Sequence, residues 1–371
     1  MGLFETFDKV SHQNWLDKIV TDLKGKDFEE TLVWKTNEGI DVQPFYNSCP
    51  DNFTPTPIKK NSDWKIRETV HITSFESANK KALLALKGGA NSILFVGAIN
   101  TKNEMDVLLK DIQTDIIEVH FYNSNPKLTS SFITLEQGSI SYDFLGEHFK
   151  SKNENLNTDI EALAETISNT SIKTITVNGN YFCDNNTTLI KEVALTLSQG
   201  VEYLNLLTDQ GIEAKQIADK IQFSIGIGTN YFFEIAKIRA LRILWNTILE
   251  QYNVANTAMY IHSETNTSIN SEEDKNYDIL RNTTRAMSAI IGGCNSLSVN
   301  PHNTEENNID FANRIARNIQ HLLKEEAFFD KVKNPADGAY YIEQLTEEIA
   351  SKAWGMFQQI DKKGGFLNAL K

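Results

Sequence analysis

From Trp64 onward, short apolar runs alternate with longer segments in which apolar positions recur every three or four residues. The short runs read as strands over Lys65–Glu68, Ser92–Val96, Ile116–Phe121, Ser139–Asp143, Thr174–Asn178, Gln222–Gly226, Ala258–His262 and Ser296–Val299. Helical spacing fills most of the gaps, over Glu76–Leu86, Asp159–Ile167, Leu189–Leu197, Tyr231–Tyr252 and Tyr277–Ile291. Alternating strand and helix predicts a parallel sheet with helices packed outside it. Eight such units over this length suit a closed (β/α)8 barrel of the TIM type spanning residues 64–330. An open, doubly wound sheet has the same periodicity and competes with it. Ile309–Leu323 and Ile342–Ile360 read as further helices. Residues 331–371 form a C-terminal helical segment with Gly364-Gly365 as its stop signal.

The first 63 residues have a different texture and read as an arm and linker. Trp15, Ile19 and Leu23 recur at helical spacing, so Ser11–Leu23 is one amphipathic helix with Ser11 as its cap. Thr31–Tyr46 reads as extended. Asn47–Asp63, rich in Pro, Asn, Ser and Thr, reads as a loop.

Composition narrows the functional classes. The 371 residues are 40% hydrophobic and 23% charged, ordinary for a soluble globular chain. A formal charge of -13 argues against nucleic acid, which calls for a basic face. A local Lys/Arg cluster could still hold a phosphorylated ligand. Cys49, Cys183 and Cys294 are far apart and lack metal spacing, so they read as free thiols in a reducing compartment, the cytoplasm. The first residues have no apolar signal core, and no apolar run is long enough to cross a bilayer.

Most individual motifs have an ordinary structural reading. Gly226-x-Gly228 lacks the third glycine of a dinucleotide loop and reads as strand-to-helix geometry. Phe232, Ala236, Ala240 and Ile243 share one helix face and read as core packing. Arg239 and Arg242 fall on a face expected to be solvated. Lys59-Lys60 reads as a solvated loop, Tyr340-Tyr341 as a packing pair, and His120 and His321 as satisfied structural residues.

Taken together and in order, the motifs carry more. Trp64-Lys65-Ile66-Arg67-Glu68, Gly226-Ile227-Gly228-Thr229-Asn230-Tyr231, His262-Ser263-Glu264-Thr265-Asn266, Arg281-Asn282-Thr283-Thr284-Arg285-Ala286-Met287 and Asn334-Pro335-Ala336-Asp337-Gly338-Ala339-Tyr340-Tyr341 follow one another along the chain. So does the whole stretch DFANRIARNIQHLLKEEAFFDKVKNPADGAYYIE from Asp310 to Glu343. This succession resembles the barrel domain of the methylmalonyl-CoA mutase family, the adenosylcobalamin-dependent radical isomerases.

The resemblance implies where a catalytic member carries its chemistry, and this chain departs there. The family has Tyr after W-x-I-R-Q, where this chain has Thr69; His71, two positions on, does not fill that role. The family's S-G-Y-H ends in a His that hydrogen-bonds the thioester carbonyl; here Asn178-Gly179-Asn180-Tyr181 ends in Tyr181. Its H-S-Q-T-S has Gln where this chain has Glu264, and a carboxylate repels a developing anion. The arginines expected before the first strand and after the fourth are missing, and no Asp-x-His-x-x-Gly loop of a cobalamin-binding domain is found. The implied role is that of a small, non-catalytic subunit with no catalytic, cofactor-binding or metal site of its own. Adenosylcobalamin and CoA esters would bind a large catalytic partner in a heterodimer, with neither membrane nor nucleic acid involved. The alternatives are the catalytic barrel half of a split acyl-CoA mutase and a stand-alone metabolite-binding barrel.

Overall fold

The structure, a computed structural model, describes residues 10–50, 55–57, 59, 61–122, 135–151, 156–183, 187–255, 257–267, 275–305 and 307–369. Eight parallel strands close on themselves: β1 (Lys65–His71), β2 (Ser92–Val96), β3 (Glu118–Tyr122), β4 (Gly138–Tyr142), β5 (Lys173–Asn178), β6 (Ile221–Ile227), β7 (Ile261–Thr265) and β8 (Ser296–Ser298). β8 pairs with both β7 and β1, which excludes the open sheet. Six strands fall within two residues of their expected positions; β1 runs three residues past Glu68 to His71, and β7 lies three residues further along than Ala258–His262. Its register is set by the ladder from Phe223 opposite Ile261 to Ile227 opposite Thr265. The polar residues that extend it were not legible as strand.

The helices in chain order are α1 (His12–Asp22), α2 (Phe28–Leu32), α3 (Phe75–Lys87), α4 (Lys102–Leu109), α5 (Phe144–Ser151), α6 (Leu156–Asn169), α7 (Leu189–Asp209), α8 (Ala214–Lys220), α9 (Tyr231–Gln251), α10 (Tyr277–Gly292), α11 (Ile309–Glu325), α12 (Tyr340–Lys362) and α13 (Phe366–Ala369). Outward strand residues such as Ile93, Phe95, Val119, Phe121, Ile175, Val177, Phe223 and Ile225 are fully buried beneath this shell. Among the described residues no helix is long and apolar enough to cross a membrane. The last helices end as the glycines require. Gly364 and Gly365 have φ of 96° and 85°, and the Gly365 N–H donates to the Ile360 carbonyl.

α9 departs from the single apolar face expected for it. It is buried nearly all round, because α12, α10 and α7 pack against it, yet Phe232 is left 45% exposed. Arg239 and Arg242 are therefore buried, not solvated. Arg239 donates to Glu343 on α12 at 2.6 Å and to Asn334 at 2.7 Å. Arg242 donates to the carbonyls of Met259 and Gly293 and to Asn295 Oδ1. Lys59 is buried as well, its Nζ donating to the carbonyls of Asp63 and Cys294, so it serves as a tether and not as a solvated loop residue. Lys60 lies outside the described residues.

The arm lies across this shell. Ser11 caps α1, accepting from the Asn14 N–H at 3.1 Å. The expected extended stretch instead begins in α2 and forms a two-stranded hairpin, Trp34–Lys35 with Asp41–Val42, whose turn uses Gly39 at φ 67°. Ile40 and Val42 enter the main core, and Tyr46 stacks on Tyr341. Glu38 accepts from the Ile190 N–H at the start of α7.

Between α7 and α9 sits a buried ion cluster. Lys237 Nζ lies 2.9 Å from Glu192 Oε1, 2.7 Å from Glu234 Oε2 and 2.7 Å from the Gly226 carbonyl at the end of β6. Removing the cation would strand two buried carboxylates. Lys237→Ala should therefore cost on the order of 3–5 kcal/mol of folding stability. Urea unfolding would read this, and a loss below about 1 kcal/mol would refute the cluster's importance.

Candidate functional site

Inside the barrel the strand residues are polar, whereas TIM barrels usually fill this space with Val, Ile and Leu. Arg67 on β1 lies at the centre. Its Nε donates to Ser92 on β2 at 3.1 Å, and its Nη2 contacts His120 Nε2 on β3 at 2.8 Å and the Tyr260 hydroxyl before β7 at 3.4 Å. Tyr260 in turn donates to Glu118 Oε2 at 3.0 Å. His120 Nδ1 meets Ser139 Oγ at 2.7 Å. Gln222 Nε2 joins Ser139 to Thr176 at 2.9 and 2.8 Å. This network links β1 to β6 across the barrel lumen.

Burial and the neighbouring Arg67 charge push His120 down to about 4, with Glu118 opposing. The same two causes, with His120 added, push His262 well below the usual histidine range. Both imidazoles are therefore neutral at pH 7, and Arg67 is the counter-charge of Glu118.

Above the network the barrel opens into a cavity of about 820 Å3 at the C-terminal ends of the strands. Its floor includes Arg67, Thr176, Gln222 and His262, and its walls include Thr69, Leu94, Val96, Tyr122, Asn178, Ser224 and Glu264. It also reaches sideways past β1 to Lys81 on α3 and to Arg314 and Arg317 on α11. Arg317 there pairs with Glu68, so it is partly compensated.

Of the three substituted positions, Thr69 and Glu264 line this cavity and Tyr181 does not. Tyr181 follows β5 in a short 3-10 turn, Gly179–Phe182. Its hydroxyl bonds Tyr122 and donates to Glu147 Oε1 at 2.9 Å, while Lys150 lies over its ring at 3.9 Å. The ring packs so closely that a Cβ on Gly146 would sit 2.4 Å from it. Burial and the neighbouring Tyr122 raise the Tyr181 phenol far above its ordinary value, and burial pushes Tyr122 up to about 12. Neither can move a proton near neutral pH. Glu264 accepts from Asn300 Nδ2 at 3.0 Å, and burial raises its pKa against that bond and the Arg67 charge. His71 lies at the exposed rim.

Sequence reasoning missed the support beneath the 3-10 turn. Asp143, at the end of β4, is fully buried and accepts from Gln199, Tyr203 and the N–H groups of Gly146 and Asn178. It also passed over Arg67 and His262 as chemistry. A signal was present: I-R-E-T-V-H, S-I-S, T-I-T-V-N, Q-F-S-I and I-H-S-E place polar residues at every second position, the mark of a polar lumen. His321 is structural as expected, its Nε2 lying 3.1 Å from the Gly88 carbonyl. Gly226 and Gly228 are close-packing positions, since a Cβ at either would meet Cys183 Sγ or Glu234 at 2.8 Å. Among the described residues no cluster of His, Cys, Asp or Glu has the makings of a metal site.

Comparison with known proteins places these features. The family described as methylmalonyl-CoA mutase matches residues 95–371. The methylmalonyl-CoA mutase small subunit of Porphyromonas gingivalis is 35% identical over 99% of this chain and 65% of its own length. The small subunit of Streptomyces virginiae is 26% identical over 100% of this chain and 67% of its own length. The methylmalonyl-CoA mutase of Rhizobium meliloti is 29% identical over 92% of this chain and 57% of its own length. The chain thus spans roughly 57–67% of the length of these relatives.

The neutral state of His120 has a measurable consequence. An unfolded histidine takes up its proton at about 6.5, whereas His120 does so only at about 4. This group therefore subtracts stability as pH falls from about 6.5 to about 4. His120→Gln, which keeps an acceptor for Arg67, should lose less stability than the unaltered chain over that window. Urea unfolding at several pH values would show it; parallel curves for the two proteins would refute the neutral imidazole.

Proposed function

The chain belongs to the methylmalonyl-CoA mutase family, and from that premise we propose that it is the small, non-catalytic subunit of a heterodimeric, adenosylcobalamin-dependent mutase. The assembled enzyme interconverts succinyl-CoA and (R)-methylmalonyl-CoA, and this chain stabilises the large catalytic subunit. The carrying observation is Tyr181. At the position where the family implies a histidine facing the thioester, this chain has a phenol turned away from the cavity and held by Tyr122 and Glu147. Thr69 and Glu264 point the same way: one has no ring and the other brings a carboxylate to the mouth.

The mouth does not suit the corrin cofactor. Thr69, on the cavity wall, offers no ring for a macrocycle to rest on. Adenosylcobalamin, which supplies the radical chemistry when bound, is accordingly assigned to the partner, together with the CoA ester. The Arg67 network supports this, since it places a buried guanidinium and its partners across the barrel lumen below the cavity. The natural division of the chain is an arm and linker over residues 1–63, the barrel over 64–330 and a helical segment over 331–371. The arm, with Trp34, Phe45 and Val20 exposed, is the candidate for contact with the large subunit.

Purified alone and supplied with adenosylcobalamin, the chain should give no turnover of methylmalonyl-CoA and retain no corrin absorbance through gel filtration. With the large subunit it should elute as a heterodimer. Turnover by the chain with only a separate cobalamin-binding protein would overturn the assignment in favour of a split catalytic barrel.

A further inference from the structure

The cavity above the Arg67 network has features that packing does not require. Arg67 and His262 are each only 4% exposed and both line its floor. Arg67 uses Nε and Nη2 in the network, and among the described residues Nη1 has no hydrogen-bond partner. His262 uses Nδ1 on Ser296 at 2.9 Å, and its Nε2 has none among the described residues. Two donor-capable groups from β1 and β7 are thus buried and left open to the same space. Higher on β7, Glu264 uses Oε1 on Asn300, and among the described residues its Oε2 has no hydrogen bond.

The register gives the span between the two charges. Glu264 lies opposite Ser298 on β8, and Ser298 Oγ donates to the Arg67 carbonyl at 3.1 Å. Arg67 and Glu264 therefore flank β8, about 10 Å apart at the backbone. Both side chains line the same cavity.

We propose that the barrel mouth binds a small free zwitterionic acid, an α-amino acid being the simplest, with its carboxylate on Arg67 and His262 and its ammonium on Glu264. A guanidinium beside the Nε2–H tautomer of neutral His262, whose Nδ1 then accepts from the Ser296 hydroxyl, matches a carboxylate. Glu264 disfavours a ligand that carries only negative charge, whereas a zwitterion leaves the charge balance of the mouth unchanged. Leu94 and Val96 give the ligand side chain an apolar wall. No covalent step is involved. The proposal goes beyond the subunit assignment and does not depend on it, because it requires neither partner nor turnover.

The test uses the full chain, with each common amino acid, succinate and lactate as probes, read by calorimetry and thermal shift. At least one amino acid should bind at a single site and raise the melting temperature, while succinate and lactate should not. Glu264→Gln keeps an acceptor for Asn300 and should fold normally. It should weaken the amino acid at least about tenfold, the loss expected for one charge-assisted contact. Absence of binding by every amino acid at millimolar concentration would overturn the site. So would equal binding of succinate, or affinity unchanged in Glu264→Gln. None of these results bears on heterodimer formation, which gel filtration reads separately.

Discussion

The guanidinium of Arg67 in the barrel axis is the constraint on which the rest of the structure depends. A charge taken out of water is tolerated only when its donors are satisfied and an opposite charge is near. Here the donors go to Ser92, His120 and Tyr260, and the opposite charge is Glu118. Those partners come from strands on both sides of β1. Each strand must then place a polar residue inward at one height and an apolar residue outward beside it. The network thereby reinforces the same register that the outer hydrophobic shell demands.

The same rule holds outside the barrel. Lys237, Arg239 and Arg242 lie on one helix and are all buried, each answered differently: by two carboxylates, by a carboxylate and an amide, and by carbonyls with an amide. Buried ion pairs are weak evidence for net stability, because desolvation offsets much of the attraction. Their effect here is positional. Lys237 joins α7, α9 and the end of β6, and Arg239 joins α9 to α12. Glu38 brings the arm to the start of the same α7. One side of the barrel is therefore where the arm and the C-terminal segment are anchored.

The barrel was legible because its outward residues are strongly apolar at alternate positions and its helices are long. Closure was not, since it depends on β8 pairing with both β7 and β1, which no local pattern encodes. The burial of Arg239 and Arg242 was hidden for a related reason. Arg239 is answered by Glu343 on a helix about a hundred residues later in the chain, and Arg242 by Met259, Gly293 and Asn295, none of which its own helix announces. Thr69, Tyr181 and Glu264 were found by comparing motifs. The structure adds that only two of them reach the cavity. Arg67 and His262 were visible in the text of the strands. Their role needed the depth coordinate: which polar residues are sealed into the network and which remain open above it.

That depth separates scaffold from site. The layer containing Arg67, His120, Ser139 and Gln222 is cross-linked around the barrel, and a change in it is felt by several strands together. The layer above contains Thr69, Ser224 and Glu264, whose bonds are few and local. The register therefore depends less on this upper layer than on the one beneath it. Tyr181 stands apart. Its phenol is held by Tyr122 and Glu147 and packs against Gly146, outside the lining of the cavity. The cross-linked layer below and the more open layer above thus make the register of the barrel separable from the chemistry of its mouth.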